Sequence, residues 1–85
     1  MKNHKKNVLH RLKITRGHLD KVINMVNEDE YCIETVHQSI AVQAALKKID
    51  KIILKHHMNT CVAEKIRKGQ KNDAVDEVMM VMEKM

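Results

Sequence analysis

Apolar residues recur along this chain at helical spacing, three or four positions apart, with polar residues between them. Val8, Leu12, Leu19, Val22, Ile23 and Val26 mark a first helix over about residues 5–26. Gly17 interrupts it, which costs roughly 1 kcal/mol against Ala and suggests a packing reason. The polar stretch Asn27-Glu28-Asp29-Glu30 reads as a turn, and its acids suit the positive start of a following helix. That second helix starts near Tyr31 and meets no breaker until Gly69. Ile33, Val36, Ile40, Ala41, Ala44, Ala45, Leu46, Ile49, Ile52 and Ile53 are its apolar positions. Continuous to about Ile66, it would span on the order of 50 Å at ~1.5 Å per residue. A polar break over residues 67–72 precedes a third helix from about Asp73 to Lys84, with Val75, Val78, Met79 and Met82 on one side.

Composition agrees with an all-α single domain over residues 1–85. There is no Pro, Phe or Trp, and there are only two Gly. Turn signals at the 8–12-residue spacing of a β-sandwich or barrel are therefore missing. At 44% hydrophobic residues, with aliphatics along most of the length, disorder is not expected. No apolar run approaches the roughly 18 residues of a membrane span. The basic start MKNHKK is not followed by an apolar run, so no secretory signal is expected. Two cysteines do not make a disulfide scaffold, and a cytoplasmic location with reduced thiols follows. An 85-residue chain buries too little surface to hold so long a helix alone, so association with further copies is expected.

Charge is segregated. Residues 1–27 carry net +6, 28–46 net −4, 47–71 net +6 and 72–85 net −3, for +5 in all. Two basic blocks thus fall on two helices. Such stripes attract phosphate, although a merely solvated surface has the same composition.

Cys32, His57 and Cys61 carry the most chemistry. His57 and Cys61 are spaced i, i+4 and share a helix face. On one straight helix all three fall within roughly 40° of azimuth. Cys32 and Cys61 are nevertheless 29 residues apart, about 43 Å along the axis, and cannot meet within one chain. They can meet across a dimer. If two copies of the long helix run antiparallel and cross near residues 44–47, Cys32 of one lies level with His57 and Cys61 of the other. Ala44 and Ala45 would allow the close approach. A two-fold interface would make two identical sites. Two thiolates and an imidazole form a soft set that suits Cu(I) or Zn. A structural zinc wants a fourth ligand, and His56 points about 100° away, so the set leans to Cu(I). The bland alternative is that both cysteines are small buried hydrophobes and His57 a surface residue.

Across nearly its whole length the sequence resembles the copper-sensitive operon repressors, small all-helical bacterial regulators that include nickel/cobalt, persulfide and formaldehyde sensors. The resemblance is carried by Arg11-Leu12-Lys13, Arg16-Gly17-His18, Tyr31-Cys32-Ile33, the stretch QSIAVQAAL from Gln38 to Leu46, and His57-Met58-Asn59-Thr60-Cys61-Val62. It implies a copper(I)-responsive repressor that binds operator DNA when metal-free and releases it on binding metal. It implies Cys32 on one protomer with His57 and Cys61 on the other as ligands, in a homodimer or a dimer of dimers. It implies that Tyr31 and Glu77 hydrogen-bond the ligand histidine. It implies a DNA surface of basic residues from the first two helices, here Arg11, Lys13 and Arg16 with Lys47 and Lys48, and with Lys51 and Lys55 beyond them.

Relatives that sense other inducers set the alternatives. Nickel/cobalt members add a histidine near the N-terminus, a place His4 could take, but replace the last cysteine, which is present here as Cys61. Persulfide members lack the histidine that is present as His57. A copper buffer that does not bind DNA would use the same ligands. The methionines of the last helix read as packing residues. No candidate catalytic base or pocket is visible, so an enzyme is not expected.

Overall fold

The computed structural model describes residues 4–85, and among them the secondary structure is entirely helical. Helix α1 (Lys5–Asn27) and helix α2 (Cys32–His57) form an antiparallel hairpin. The rod then runs on through one π-helical turn (Met58–Val62) into helix α3 (Ala63–Arg67). Helix α4 (Lys71–Lys84) folds back against the π turn and α3.

Both reversals are built in the same way. At the end of α1, Asp29 N–H donates to Val26 O and Glu30 N–H to Met25 O, with Asp29 left-handed at φ 53°. At the end of α3, Gly69 N–H donates to Ile66 O and Gln70 N–H to Lys65 O, with Gly69 at φ 79°. These paired bonds satisfy the last carbonyls and turn the chain sharply. Gly69 adopts its conformation at no steric cost, and Asp29 does so as one of the few residues that tolerate it. The tight second reversal lets α4 begin at Lys71, two residues before the start expected from the polar stretch.

The molecule is a thin slab of 56 × 27 × 13 Å. Its smallest dimension is close to the width of one helix, so the helices lie in a single layer. Domains ordinarily bury their apolar faces between two layers. Here burial is sparse. Val8, Thr15 and Met25 of α1 and Val42 and Ile49 of α2 are buried between the hairpin helices. Val62, Ala74 and Val78 form a second small cluster, closed by Leu54. No large side chain is fully buried.

The apolar stripes of the helices lie mostly outside these clusters. Leu12, Leu19, Ile23 and Val26 on α1 and Ile33, Val36, Ile40 and Leu46 on α2 are exposed. So are Val75, Met79 and Met82 on α4, which buries Ala74 and Val78 instead. One layer of helices has too few neighbours to cover every apolar position. The expected packing role of Gly17 also finds no counterpart within the chain, because a Cβ there would meet no atom within 4 Å. No described helix is long and apolar enough to cross a membrane.

Candidate metal centre

The long rod carries cysteines at both ends. Cys32 is the first residue of α2, directly after Tyr31, and both side chains are exposed. Cys61 lies on the π turn and is also exposed. Neither is therefore the small buried hydrophobe of the bland reading. Their separation along the rod is about 43 Å at helical rise. Among the described residues, no three His, Cys, Asp or Glu side chains of one chain converge as metal ligands.

The His57 end is the furnished one. His57 is the last residue of α2 and Cys61 lies on the next turn. That turn is π-helical, a form that often marks functional sites. Thr60 supports it by donating from Oγ1 to His56 O at 2.8 Å, a back-bond that tends to bend helices. The widened turn lies between the two candidate ligands and sets their relative direction.

Glu77 of α4 reaches back to this turn. Its Oε1 is 3.3 Å from His57 Nε2. Its Oε2 accepts from Lys65 Nζ at 2.7 Å. The lysine's hydrogen bond and charge, and to a lesser degree His57, hold the Glu77 carboxyl below the usual carboxylate range. The same hydrogen bond raises Lys65 above the usual lysine value. With Nε2 turned to Glu77, Nδ1 is the ring nitrogen left for another partner, and a carboxylate in this place is suited to holding an imidazole's tautomer and orientation. Lys65 was not singled out by sequence, since helical spacing gives no register across the break at Gly69.

His56 points elsewhere. Its ring packs edge-on against His4, with centroids 4.3 Å apart, and so ties the start of α1 to the end of α2. Burial, with neighbouring cationic groups including His4 and His57, pushes its pKa down.

A cleft of about 540 Å³ opens beside His57 and Glu77, with Ile53, Leu54 and Val81 among its walls. Lys47 stands on the rim of this cleft. Lys48 instead shares a depression between α1 and α2 with Arg11. Arg11 Nε is buried without a hydrogen-bond partner there. Lys13 lines a separate hollow on α1 with Lys6 and His10, and Arg16 is exposed. Of the basic residues expected to meet DNA, the structure thus brings Arg11 and Lys48 together and leaves Lys13, Arg16 and Lys47 apart from them.

Comparison with known proteins bears on this arrangement. Residues 4–84 match the sequence profile of the metal-sensitive transcriptional repressor family. The chain is 37% identical over 75 residues to the copper-sensing transcriptional repressor CsoR of Mycobacterium ulcerans, covering 88% of this chain and 64% of that one. It therefore spans about two thirds of the length of that relative. The fold matches the crystal structure of the copper-sensing repressor CsoR with Cu(I) from Geobacillus thermodenitrificans NG80-2. There the TM-score is 0.90 at 36% identity, covering 99% of this chain and 88% of that one. The nickel-responsive transcriptional regulator InrS matches at a TM-score of 0.77 and 29% identity, covering 93% and 89%. A profile match spanning nearly every described residue, together with the same helical architecture, settles the kinship: the chain belongs to the metal-sensitive transcriptional repressors.

Proposed function

We propose that this protein is a copper(I)-responsive transcriptional repressor whose metal site is shared between two antiparallel protomers. The observation that carries the reading is the uneven rod. His57 and Cys61 stand one turn apart at one end, and Cys32 stands alone at the other. A two-fold partner would bring the partner's Cys32 to His57 and Cys61, and each dimer would hold two such sites. The single-layer slab and its exposed apolar stripes on α1 and α2 favour such a partner. The exposed Val75, Met79 and Met82 of α4 offer a further apolar face for a dimer of dimers.

Two thiolates and an imidazole suit a soft monovalent ion, and Cu(I) held there would displace the thiol protons and leave a bis-thiolate centre of net charge −1 at the end of the rod. Glu77 sits where it orients His57 and links the site to α4. Tyr31, adjacent to Cys32, would arrive with the partner subunit at the open cleft beside His57. Arg11 and Lys48 share a depression across α1 and α2 that offers paired positive charge to the phosphates of operator DNA, and Lys13, Arg16 and Lys47 add charge elsewhere on the same two helices. Metal and DNA then compete through the helices that both sites share, a coupling typically of about 1–3 kcal/mol.

The relatives named above that sense copper support Cu(I) as inducer. The donor set supports it independently, since a nickel site prefers more nitrogen and fewer thiolates than Cys32, His57 and Cys61 supply. The test is DNA binding with and without Cu(I), for the wild type and for Cys61→Ser. Copper should weaken DNA binding only in the wild type. Equal binding under all four conditions would defeat the sensor mechanism, and a response to Ni(II) but not Cu(I) would reassign the inducer.

A further inference from the structure

Glu77 serves two cations at once. Its Oε1 lies 3.3 Å from His57 Nε2, and its Oε2 accepts from Lys65 Nζ at 2.7 Å. The three residues come from three elements: the end of α2, α3 and α4. The lysine contact is the shorter, charge-assisted hydrogen bond, whereas the histidine contact is longer than a good one. Glu77 is about half exposed, at 48% of its side chain. An exposed glutamate gives up rotamer freedom to hold any one position, so a carboxylate kept opposite an imidazole needs a second anchor. Lys65 supplies that anchor.

We propose that Lys65 is a positioning residue: it pins Oε2 of Glu77 so that Oε1 stays opposite His57 Nε2, and thereby sets how strongly occupancy of the metal site is felt by α4. The inference rests on the reading of His57 as a ligand. When His57 ligates through Nδ1, its Nε2 carries the proton and becomes a stronger donor. A carboxylate already held at 3.3 Å then needs only a small movement to accept it, and α4 moves with Glu77. Without Lys65 the carboxylate would sample solvent, and the same event at His57 would reach α4 weakly. Exposed ion pairs add little to folding stability, so loss of Lys65 should appear in coupling rather than in unfolding.

The test uses the full chain in its native assembly, with Cu(I) as the only added ligand. Hydrogen exchange of α4 amides is measured before and after one equivalent of Cu(I), on wild type, Lys65→Met, Lys65→Arg, Glu77→Gln and Lys65→Met/Glu77→Gln. The wild type should change α4 exchange by about fivefold or more, the low end of ordinary coupling. Lys65→Met should reduce that change to below about twofold while keeping Cu(I) stoichiometry and the thiolate charge-transfer band. Lys65→Arg should restore most of it, and adding Lys65→Met to Glu77→Gln should change nothing further, as expected of residues acting in one chain of contacts. An undiminished α4 response in Lys65→Met, or additive effects in the double variant, would overturn the role of Lys65. Absence of Cu(I) binding to the wild type would instead overturn the underlying metal reading.

Discussion

The two ends of the α2–α3 rod offer the same thiol chemistry in unlike settings. At its start, Tyr31 and Cys32 stand exposed, no side chain caps the first turn, and Ile33 and Val36 face outward beside them. At its far end, His57 and Cys61 flank a π turn, α4 closes over Val62, and Glu77 and Lys65 complete a polar fork. One end is finished by its own chain and the other is not. The finished end can orient an imidazole but holds too few soft donors for a metal. The bare end holds a soft donor but nothing to orient. This division makes sense when the two ends meet between molecules.

The largest expected effect falls on the proposed ligands at both ends alike. Cys32→Ser and Cys61→Ser should each lower Cu(I) affinity by at least about 100-fold, roughly 2.7 kcal/mol, in a competition titration against a copper chelator. Unequal losses, with one variant near wild type, would remove that cysteine from the site. Next comes the packing that finishes the far end. Val78→Ala removes two methyl groups from the cluster with Val62, Ala74 and Leu54 and should cost roughly 2 kcal/mol in urea unfolding at fixed protein concentration. The equivalent truncation at exposed Val75 should cost much less in the monomer fold.

A smaller effect separates the hairpin from the metal end. His18 Nε2–H donates to Gln38 Oε1 at 2.7 Å between α1 and α2, and His18→Ala should cost about 1 kcal/mol of stability. Because neither His18 nor Gln38 is a proposed ligand or a partner of His57, the Cu(I) charge-transfer band should be unchanged. The smallest effect concerns the two chain reversals. Asp29→Gly relieves a left-handed non-glycine residue and should stabilise by under about 1 kcal/mol in thermal melts. Gly69→Ala imposes that strain on the other reversal and should destabilise by a similar amount.

Much of this architecture is legible in the sequence because helices are local. The spacing of Val8, Leu12 and Leu19, the acids after Asn27 and the lone breaker at Gly69 fix α1, the rod and α4 to within a few residues. The i, i+4 spacing of His57 and Cys61 is equally local, and so is the distance that keeps Cys32 from them. The π turn escapes such reading. Met58-Asn59-Thr60-Cys61-Val62 contains no Gly or Pro, and only the back-bonding Thr60 hints at a widened turn. Burial along α1 escapes it too. An apolar stripe looks the same whether its cover comes from the same chain or another, so Ile23 and Val26 keep the helical apolar spacing of Val8 yet are exposed where Val8 is buried. The Lys65–Glu77 bond depends on how α4 docks after the Gly69 reversal, a tertiary fact without a sequence period.

The shared site can be tested directly by complementation. In a heterodimer of Cys32→Ser and Cys61→Ser protomers, isolated through two different tags, one composite site is doubly broken and the other is wholly intact. One Cu(I) per heterodimer is expected, with a normal thiolate charge-transfer band, although neither homodimer should bind copper tightly. A heterodimer that binds no more copper than its parents would contradict a site built from two chains.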